Sequence, residues 1–295
     1  MIVTRNYKEQ KSPGGGTVQG PKELMSTKSD IIVVGSKDYF EDISKCIQNL
    51  DSNSREIVLI DTFLNNYPKV DTMTNYYVTV EKKQELISLM KEIGDLPIES
   101  FEKARVFANR VEALKIVPRG GIVAEIGVAL GYFSDQIINW LQPDHFYAVD
   151  YFNRDNPDVS FWGYNCLKET GMLHEEWYRH KYSNLININK MSVCSGMSWD
   201  VMEGFEDDFF DYIYVDAGHD YESVKKDIEV SVKKIKKGGY IQFNDYTLQN
   251  IEGEIGSCYG IVPAVNEMII DTKSQIIGYA MQILGYCDLL VKVNK

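Results

Sequence analysis

The distribution of apolar residues predicts strands that alternate with helices over most of the chain. Short apolar runs bounded by turn residues are typical of buried strands, whereas apolar positions three or four residues apart indicate amphipathic helices. The two patterns take turns from about residue 120 to the end, which predicts a mostly parallel sheet covered by helices on both faces. The predicted strands of this sheet are "GIVAEIG", "HFYAVDYF", "LININKMSV", "FFDYIYVDA" and "GGYIQFNDY".

The last two apolar runs predict a different connection. "SQIIGYAMQIL" and "YCDLLVKV" flank a turn at Gly285 and Tyr286, which is typical of an antiparallel hairpin. We therefore predict an α/β fold with a doubly wound, mostly parallel sheet that a C-terminal hairpin closes. In sheets of this kind the ligand lies at the carboxyl ends of the strands.

Three regions are predicted along the chain. Residues 1–20 are polar and glycine-rich, which indicates a flexible tail, and residues 21–95 form a small α/β domain ahead of a larger domain at 96–295. The small domain has predicted strands at 30–36, 56–63 and 75–80 and predicted helices at 39–50 and 82–94. At the start of the large domain, apolar residues at helical spacing predict one amphipathic helix over 99–117.

Composition limits the classes of partner and compartment. The 295-residue chain carries a net charge of −12, which argues against nucleic acid and anionic membranes as partners, since both attract basic surfaces. No apolar run approaches the roughly 20 residues that span a bilayer. The first residues lack the apolar centre of a signal peptide. The five cysteines are far apart, without a C-x-x-C pair, which favours reduced thiols and a cytoplasmic location.

The segment "VAEIGVALGYFS", residues 123–134, joins a predicted strand to a predicted helix. Gly127 and Gly131 would allow a tight turn and the close approach of a ligand, and the helix from Tyr132 would direct free N–H groups at that ligand. The two glycines have G-x-x-x-G spacing, which differs from the G-x-G-x-x-G pattern of dinucleotide enzymes. A cofactor without phosphate, S-adenosylmethionine, is favoured: its cationic groups suit Glu125 and its ribose suits Asp150 at the next strand end.

Two further strand ends carry polar residues. "FFDYIYVDAGHDY" ends in Asp216 and continues to His219, and "GGYIQFNDY" delivers Asn244 and Asp245. Because the carboxyl ends of parallel strands meet at one edge of a sheet, we expect these side chains to converge there.

This order of motifs, from about residue 100 to 295, resembles that of class I S-adenosylmethionine-dependent methyltransferases. It looks most like the branch that includes catechol and macrocin-type sugar O-methyltransferases. The resemblance implies a Rossmann-like fold and an O-methyltransferase, with Ser198 and Trp199 beside the adenine. The implied cofactor-binding residues are Glu125, Gly127, Val128, Gly131, Ser134, Asp150, Tyr151, Ser198, Trp199 and Asp216.

The resemblance also implies a divalent metal. In metal-dependent members, the acid after the fourth strand and the pair after the fifth strand hold magnesium, and these positions match Asp216, Asn244 and Asp245. This chain reads Asn-Asp where catechol-type members read Asp-Asn, yet both side chains offer oxygen to a hard cation. Two alternatives stay open: a magnesium site, or carboxylates that organise the substrate loop without metal.

The catalytic residues that the resemblance implies are His219 and Asp216. Catechol-type relatives place a lysine base where this chain has His219, and an imidazole could take the acceptor proton at neutral pH. Substrate binding and a structural role are the alternatives for His219. The aromatic segment 151–184 suits a ring-shaped substrate, or it forms a lid, a helix pair or a subunit interface. The predicted substrate-contacting residues are His219, Tyr221, Trp162, Tyr164 and Tyr246.

The predicted function is methyl transfer from S-adenosylmethionine to a hydroxyl of a small molecule, with a sugar, glycan or nucleotide-sugar favoured by the resemblance. An NAD-linked oxidoreductase is a weaker alternative because the third glycine is missing. A non-catalytic binding or assembly module that acts through residues 21–95 is another. We expect a homodimer, on the general frequency of such assemblies.

Overall fold

The computed structural model describes residues 31–34, 56–59, 84–153, 166–248, 259–282 and 286–295. The described residues fall into two compact units. In the first, strands β1 (Ile31–Val34) and β2 (Glu56–Leu59) pair in parallel, which agrees with two of the predicted N-terminal strands. The predictions for 1–20, 39–50 and 75–80 lie outside the described residues.

The second unit contains an eight-stranded sheet in the order β3-β9-β10-β8-β7-β4-β5-β6. Neighbouring strands are parallel except where β10 pairs with β8 and β9. The predicted fold class, including the antiparallel C-terminal hairpin, is therefore confirmed. The strands are β3 (Arg105–Phe107), β4 (Ile122–Ile126), β5 (His145–Asp150), β6 (Met191–Ser195), β7 (Phe210–Val215), β8 (Ile235–Phe243), β9 (Gln275–Met281) and β10 (Cys287–Lys292).

Helices cover both faces of this sheet. One buried apolar cluster packs α8 and α9 against one face, and a second packs α2, α3 and α5 against the other. Strands buried on both faces read as nearly continuous apolar runs, as the sequence showed. The helices are α1 (84–93), α2 (Arg110–Leu114), α3 (Tyr132–Leu141), α4 (Cys166–Thr170), α5 (His174–Lys181), α6 (Ser183–Asn187), α7 (Ser198–Glu203), α8 (Tyr221–Lys234) and α9 (Ile261–Thr272).

The strand order places a topological switch point beside β4. The chain runs outward from β4 to β5 and β6, and it then returns to form β7 on the other side of β4. The register pairs Glu125 with Ala148 of β5 and with Tyr214 of β7. Ligands of doubly wound sheets bind at such a point, outside the carboxyl ends of the strands.

The predicted single helix over 99–117 is wrong. The structure has a 3₁₀ turn at Ile98–Phe101, the edge strand β3 and the short helix α2. Strand β3 pairs in parallel with β9, so tertiary pairing overrides the helical spacing of the apolar residues. Asn109 then caps α2, because its side-chain oxygen accepts hydrogen bonds from the backbone N–H groups of Val111 and Glu112.

Two smaller differences concern element boundaries. Residues 185–187 of the predicted strand "LININKMSV" lie in helix α6, and the strand starts only at Met191. Helix α8 ends at Lys234 and β8 already begins at Ile235, three residues before the predicted strand "GGYIQFNDY", so Gly238 lies within the strand, at a φ of 78°. In the described part of the chain, no helix combines the length and apolarity that a membrane span requires.

Candidate functional site

The glycine loop between β4 and α3 is built around two close approaches. Gly127 and Gly131 both have positive φ, 83° and 73°, where other residues are strained. A Cβ at Gly127 would overlap the backbone carbonyl of Asp216, and one at Gly131 would lie 2.5 Å from the hydroxyl of Tyr182. The protein's own chain therefore requires both glycines, in addition to any ligand that approaches the loop.

Asp150 holds the glycine loop in place. Its Oδ2 accepts hydrogen bonds from the backbone N–H groups of Val128 (2.9 Å) and Ala129 (3.0 Å), and its Oδ1 accepts one from Phe152 (2.8 Å). Ala129 has a φ of 43°, in the left-handed region. Each carboxylate oxygen can accept more than one hydrogen bond, so the predicted contact with ribose hydroxyls is compatible with this clamp.

Glu125 lies inside the interface between the sheet and the helices. Its side chain is 1 % exposed, and Ser134 donates a hydrogen bond of 2.5 Å to its Oε2. The Ser134 hydroxyl also lies 2.8 Å from the hydroxyl of Tyr178 on α5. Burial raises the pKa of Glu125 well above its ordinary value. The predicted cofactor residues Glu125 and Ser134 thus pair with each other beneath the loop.

The predicted adenine loop lies at the start of α7. Ser198 is buried and donates a hydrogen bond of 2.5 Å to Asp227 on α8, whose pKa burial raises to about 6. The ring of Trp199 packs beneath the ammonium group of Lys226 at 4.7 Å. Tyr151, which follows β5, is 60 % exposed. This loop is anchored through Asp227, a residue that the sequence analysis missed.

A polar cluster brings together the residues after β7 and β8. The Nδ1–H of His219 donates to the backbone carbonyl of Ala217 at 3.1 Å. Its Nε2 lies 3.8 Å from Oδ1 of Asp216 and 3.5 Å from Oδ2 of Asp245. Asp245 has a φ of 50°, a left-handed conformation that occurs at functional sites. The predicted convergence of these side chains is what the structure shows.

The electrostatics of this cluster follow from its burial and its carboxylates. Burial raises the pKa of Asp216 to about 7, against the opposing effect of His219. For His219, burial acts to lower the pKa, but Asp245 and Asp216 outweigh it and the pKa is raised. The imidazolium form is therefore stabilised where it faces both carboxylates.

A buried hydrogen-bond network lies next to the cluster. The hydroxyl of Tyr214 accepts from Arg110 Nη1 at 3.0 Å and from Asn244 Nδ2 at 3.1 Å, and it donates to Asp288 Oδ2 at 3.1 Å. Gln242 also donates to Asp288, at 2.8 Å. Arg110 and Asp288 were not predicted from the sequence, because neither stands in a motif and only the packing of α2 and β10 brings them here.

The predicted metal ligands do not fit a magnesium ion in this arrangement. Asp216, Asp245 and Asn244 offer the oxygen atoms that magnesium prefers. However, an imidazole nitrogen faces both carboxylates, and the buried amide of Asn244 is bonded to Tyr214. Among the described residues, no three His, Cys, Asp or Glu side chains are grouped so that they could hold a metal.

The remaining predicted substrate residues are placed as follows. The Tyr221 hydroxyl donates to Glu267 at 2.8 Å, and the Tyr246 hydroxyl donates to Asn266 at 2.5 Å, so both bond to α9. The predicted residues Trp162 and Tyr164 lie outside the described part of the chain.

Comparison with known families identifies the core of the chain. Residues 124–246, from β4 to the residues after β8, match the family model described as a methyltransferase domain. The match covers less than half of the chain and supports a class I S-adenosylmethionine-dependent methyltransferase over these residues. The resemblance to methyltransferases drawn from the motifs is thus confirmed at this general level, and the NAD-linked alternative is not supported. The residues around the glycine loop fit S-adenosylmethionine chemically, since Asp150 keeps acceptor capacity beside a loop that lacks the dinucleotide pattern.

One curated relative was found by sequence. An uncharacterized protein of Acanthamoeba polyphaga mimivirus is 29 % identical over 76 residues, which is 25 % of this chain and 32 % of that protein. The chain thus matches about a third of the length of this relative.

Solved structures with a similar fold include three methyltransferases of different kinds. One is the O-methyltransferase TomG from Streptomyces achromogenes, which is involved in tomaymycin synthesis and was solved in complex with S-adenosylmethionine. It is 14 % identical to this chain, with a TM-score of 0.44, and the match covers 63 % of this chain and 80 % of TomG. An rRNA methylase from Streptococcus thermophilus has 12 % identity, a TM-score of 0.41 and coverages of 63 % and 94 %. The tRNA methyltransferase TrmK from B. subtilis has 12 % identity, a TM-score of 0.42 and coverages of 64 % and 67 %.

Proposed function

We propose that this protein transfers the methyl group of S-adenosylmethionine to a hydroxyl oxygen of a small molecule, with a sugar, glycan or nucleotide-sugar as the favoured acceptor. The preference for a sugar is supported by the resemblance to macrocin-type enzymes. We further propose a cytoplasmic enzyme that acts as a homodimer, as expected from the cysteine pattern and the general frequency of such assemblies.

One observation supports the proposal most directly: His219 stands against two carboxylates at the switch point, next to the glycine loop. The chain after β7 touches the loop itself, because the backbone of Asp216 packs against Gly127. A group bound at the loop would therefore lie beside Asp216 and within reach of His219.

The tautomer of His219 suits it to the role of general base. Its Nδ1–H is held by the carbonyl of Ala217, so the neutral ring presents the lone pair of Nε2. When Nε2 accepts the proton of the acceptor hydroxyl, Asp216 and Asp245 stabilise the imidazolium that forms. Bound S-adenosylmethionine supplies a methyl group on a positively charged sulfur, and its loss leaves a neutral thioether.

The proposed scheme assigns no step to a metal, because the imidazole of His219 faces the two carboxylates that would hold one. The buried amide of Asn244 is likewise held by Tyr214. Magnesium assistance, which the resemblance implies, is therefore not part of the proposed reaction, and an assay with chelator tests this point.

The test is incubation of the full chain with S-adenosylmethionine and a panel of sugar nucleotides, free sugars and catechols, each with magnesium and with EDTA. We expect release of S-adenosylhomocysteine when a sugar-containing acceptor is present. The rate of release should be the same with magnesium and with EDTA. Turnover only with magnesium would show that the metal-free scheme is wrong. Cofactor binding without release of product from any acceptor would favour the non-catalytic alternative.

A further inference from the structure

The strand order fixes which side of the cleft the amino-acid end of the cofactor must occupy. The ribose is expected at Asp150, at the end of β5, and the adenine at Ser198 and Trp199, in the loop after β6. Because the strands run in the order β7-β4-β5-β6, the opposite end of the cofactor extends over β4 towards β7. That end carries an ammonium and a carboxylate group.

Arg110 lies on this side of the cleft. It is the first residue of α2, and its guanidinium carbon is 4.5 Å from the ring centroid of Phe133. Phe133 is the second residue of α3, directly after the glycine loop. Arg110 Nη1 also donates to the hydroxyl of Tyr214 near the end of β7. The guanidinium group therefore lies beside both elements that border the switch point.

The hydrogen bonds of Arg110 leave donors available. A guanidinium carries five N–H groups, and within the described ranges Nη1 to Tyr214 is the one hydrogen bond that its side chain makes. No carboxylate of the described residues lies within 4 Å of it, so Asp216 and Asp288 act on it at longer range. The residue is half-buried rather than sealed in the core.

We propose that Arg110 binds the carboxylate group of the amino-acid end of S-adenosylmethionine. A guanidinium is the side chain best suited to a planar carboxylate, which it meets with two parallel N–H donors. The contact with Tyr214 holds the guanidinium group at the switch point. This inference rests on the proposed function for the orientation of the cofactor, but it does not depend on which acceptor is methylated.

A binding experiment with two ligands tests this role. S-adenosylmethionine and its decarboxylated form share the adenosine, the sulfonium and the ammonium and differ in the carboxylate. For Arg110→Gln we expect affinity for S-adenosylmethionine to fall about 10- to 100-fold, as for loss of a charge-assisted pair, with less than about 2-fold change for the decarboxylated form. Isothermal calorimetry on the full chain supplies both constants.

Lys115→Gln is the matched control, because Lys115 is the C-cap residue of the same helix and contacts Glu112 and Trp140 instead. We expect it to change neither affinity. Equal losses for both ligands in Arg110→Gln, or no loss for either, would overturn the inference and leave the methyltransferase assignment standing. Selective loss without any methyl transfer would support the Arg110 contact and count against the proposed reaction. Failure of the unaltered chain to bind S-adenosylmethionine would contradict both.

Discussion

The two halves of the cleft differ in how their central polar residues, Asp150 and His219, are bonded. On the β5 side, Asp150 accepts three backbone hydrogen bonds and fixes the glycine loop. On the β7–β8 side, the buried Nε2 of His219 has no hydrogen-bond partner among the described residues, although two carboxylates lie nearby. A carboxylate that three backbone N–H groups hold is suited to position a cofactor without moving. A buried imidazole nitrogen without a hydrogen-bond partner is suited to exchange a proton, because its missing partner can be the acceptor hydroxyl.

The largest expected effect comes from removing the proposed base. For His219→Ala we expect kcat to fall about 100- to 10,000-fold, the usual contribution of a general base, while the affinity for S-adenosylmethionine changes less than about 3-fold. Steady-state assays and calorimetry measure the two quantities. Full turnover by His219→Ala would show that its role as base is wrong.

The two halves meet at Gly127, and a substitution there should affect both. In Gly127→Ala the new Cβ adds overlap with the backbone of Asp216 to the strain of a positive φ. We expect a loss of about 3–5 kcal/mol in the free energy of unfolding, measured in urea.

Gly171→Ala is the matched control, because Gly171 has a similar φ of 76° but no atom within 4 Å of the position that a Cβ would take. For Gly171→Ala we expect the free energy of unfolding to fall by only about 1–2 kcal/mol, which is the cost of the left-handed conformation. Equal losses for the two variants would mean that the loop and the chain after β7 are not in contact.

Asp150→Asn and Asp245→Asn separate binding from turnover. Asp150→Asn replaces one acceptor oxygen of the loop clamp by an amide, so we expect about 10-fold weaker binding of S-adenosylmethionine and a kcat within about 2-fold. Asp245→Asn removes a charge that stabilises the imidazolium and should lower kcat with little change in cofactor affinity. The reverse pattern would contradict the division of the cleft into two functional halves.

The smallest expected effect is a pH dependence on the adenine side. Burial raises the pKa of Asp227 to about 6 in the folded protein, above its ordinary value of 3.8. The contribution of Asp227 to the free energy of unfolding is therefore fully present below about pH 4, and it is lost as the pH rises through about 6. Asp227→Asn should remove this decline and raise the free energy of unfolding at pH 8 by about 1–2 kcal/mol.

Urea unfolding of both proteins between pH 4 and pH 8 measures this difference. The Asn side chain can still accept the hydrogen bond from Ser198, so the anchor of the adenine loop should persist. Parallel pH profiles for the two proteins would show that Asp227 does not titrate in the folded state.

Much of the site could be predicted because it lies at strand ends. Asp150, Asp216 and Asp245 each follow an apolar run, and parallel strands bring such positions to one edge. The prediction failed for 99–117, where the apolar spacing of a helix is also compatible with a short edge strand. Pairing of β3 with β9, about 170 residues away in sequence, decided between the two.

By itself the sequence determined the alternation of strands and helices, the position of the glycine loop and the acids that end the strands, because these depend on neighbours along the chain. Only the tertiary structure decided that Asp150 clamps the loop, that His219 faces two carboxylates and that Arg110 lies beside the switch point. Apart from the pair of His219 and Asp216, these contacts join residues from different segments of the chain, and their geometry depends on how the sheet orders its strands and on which helices pack over them.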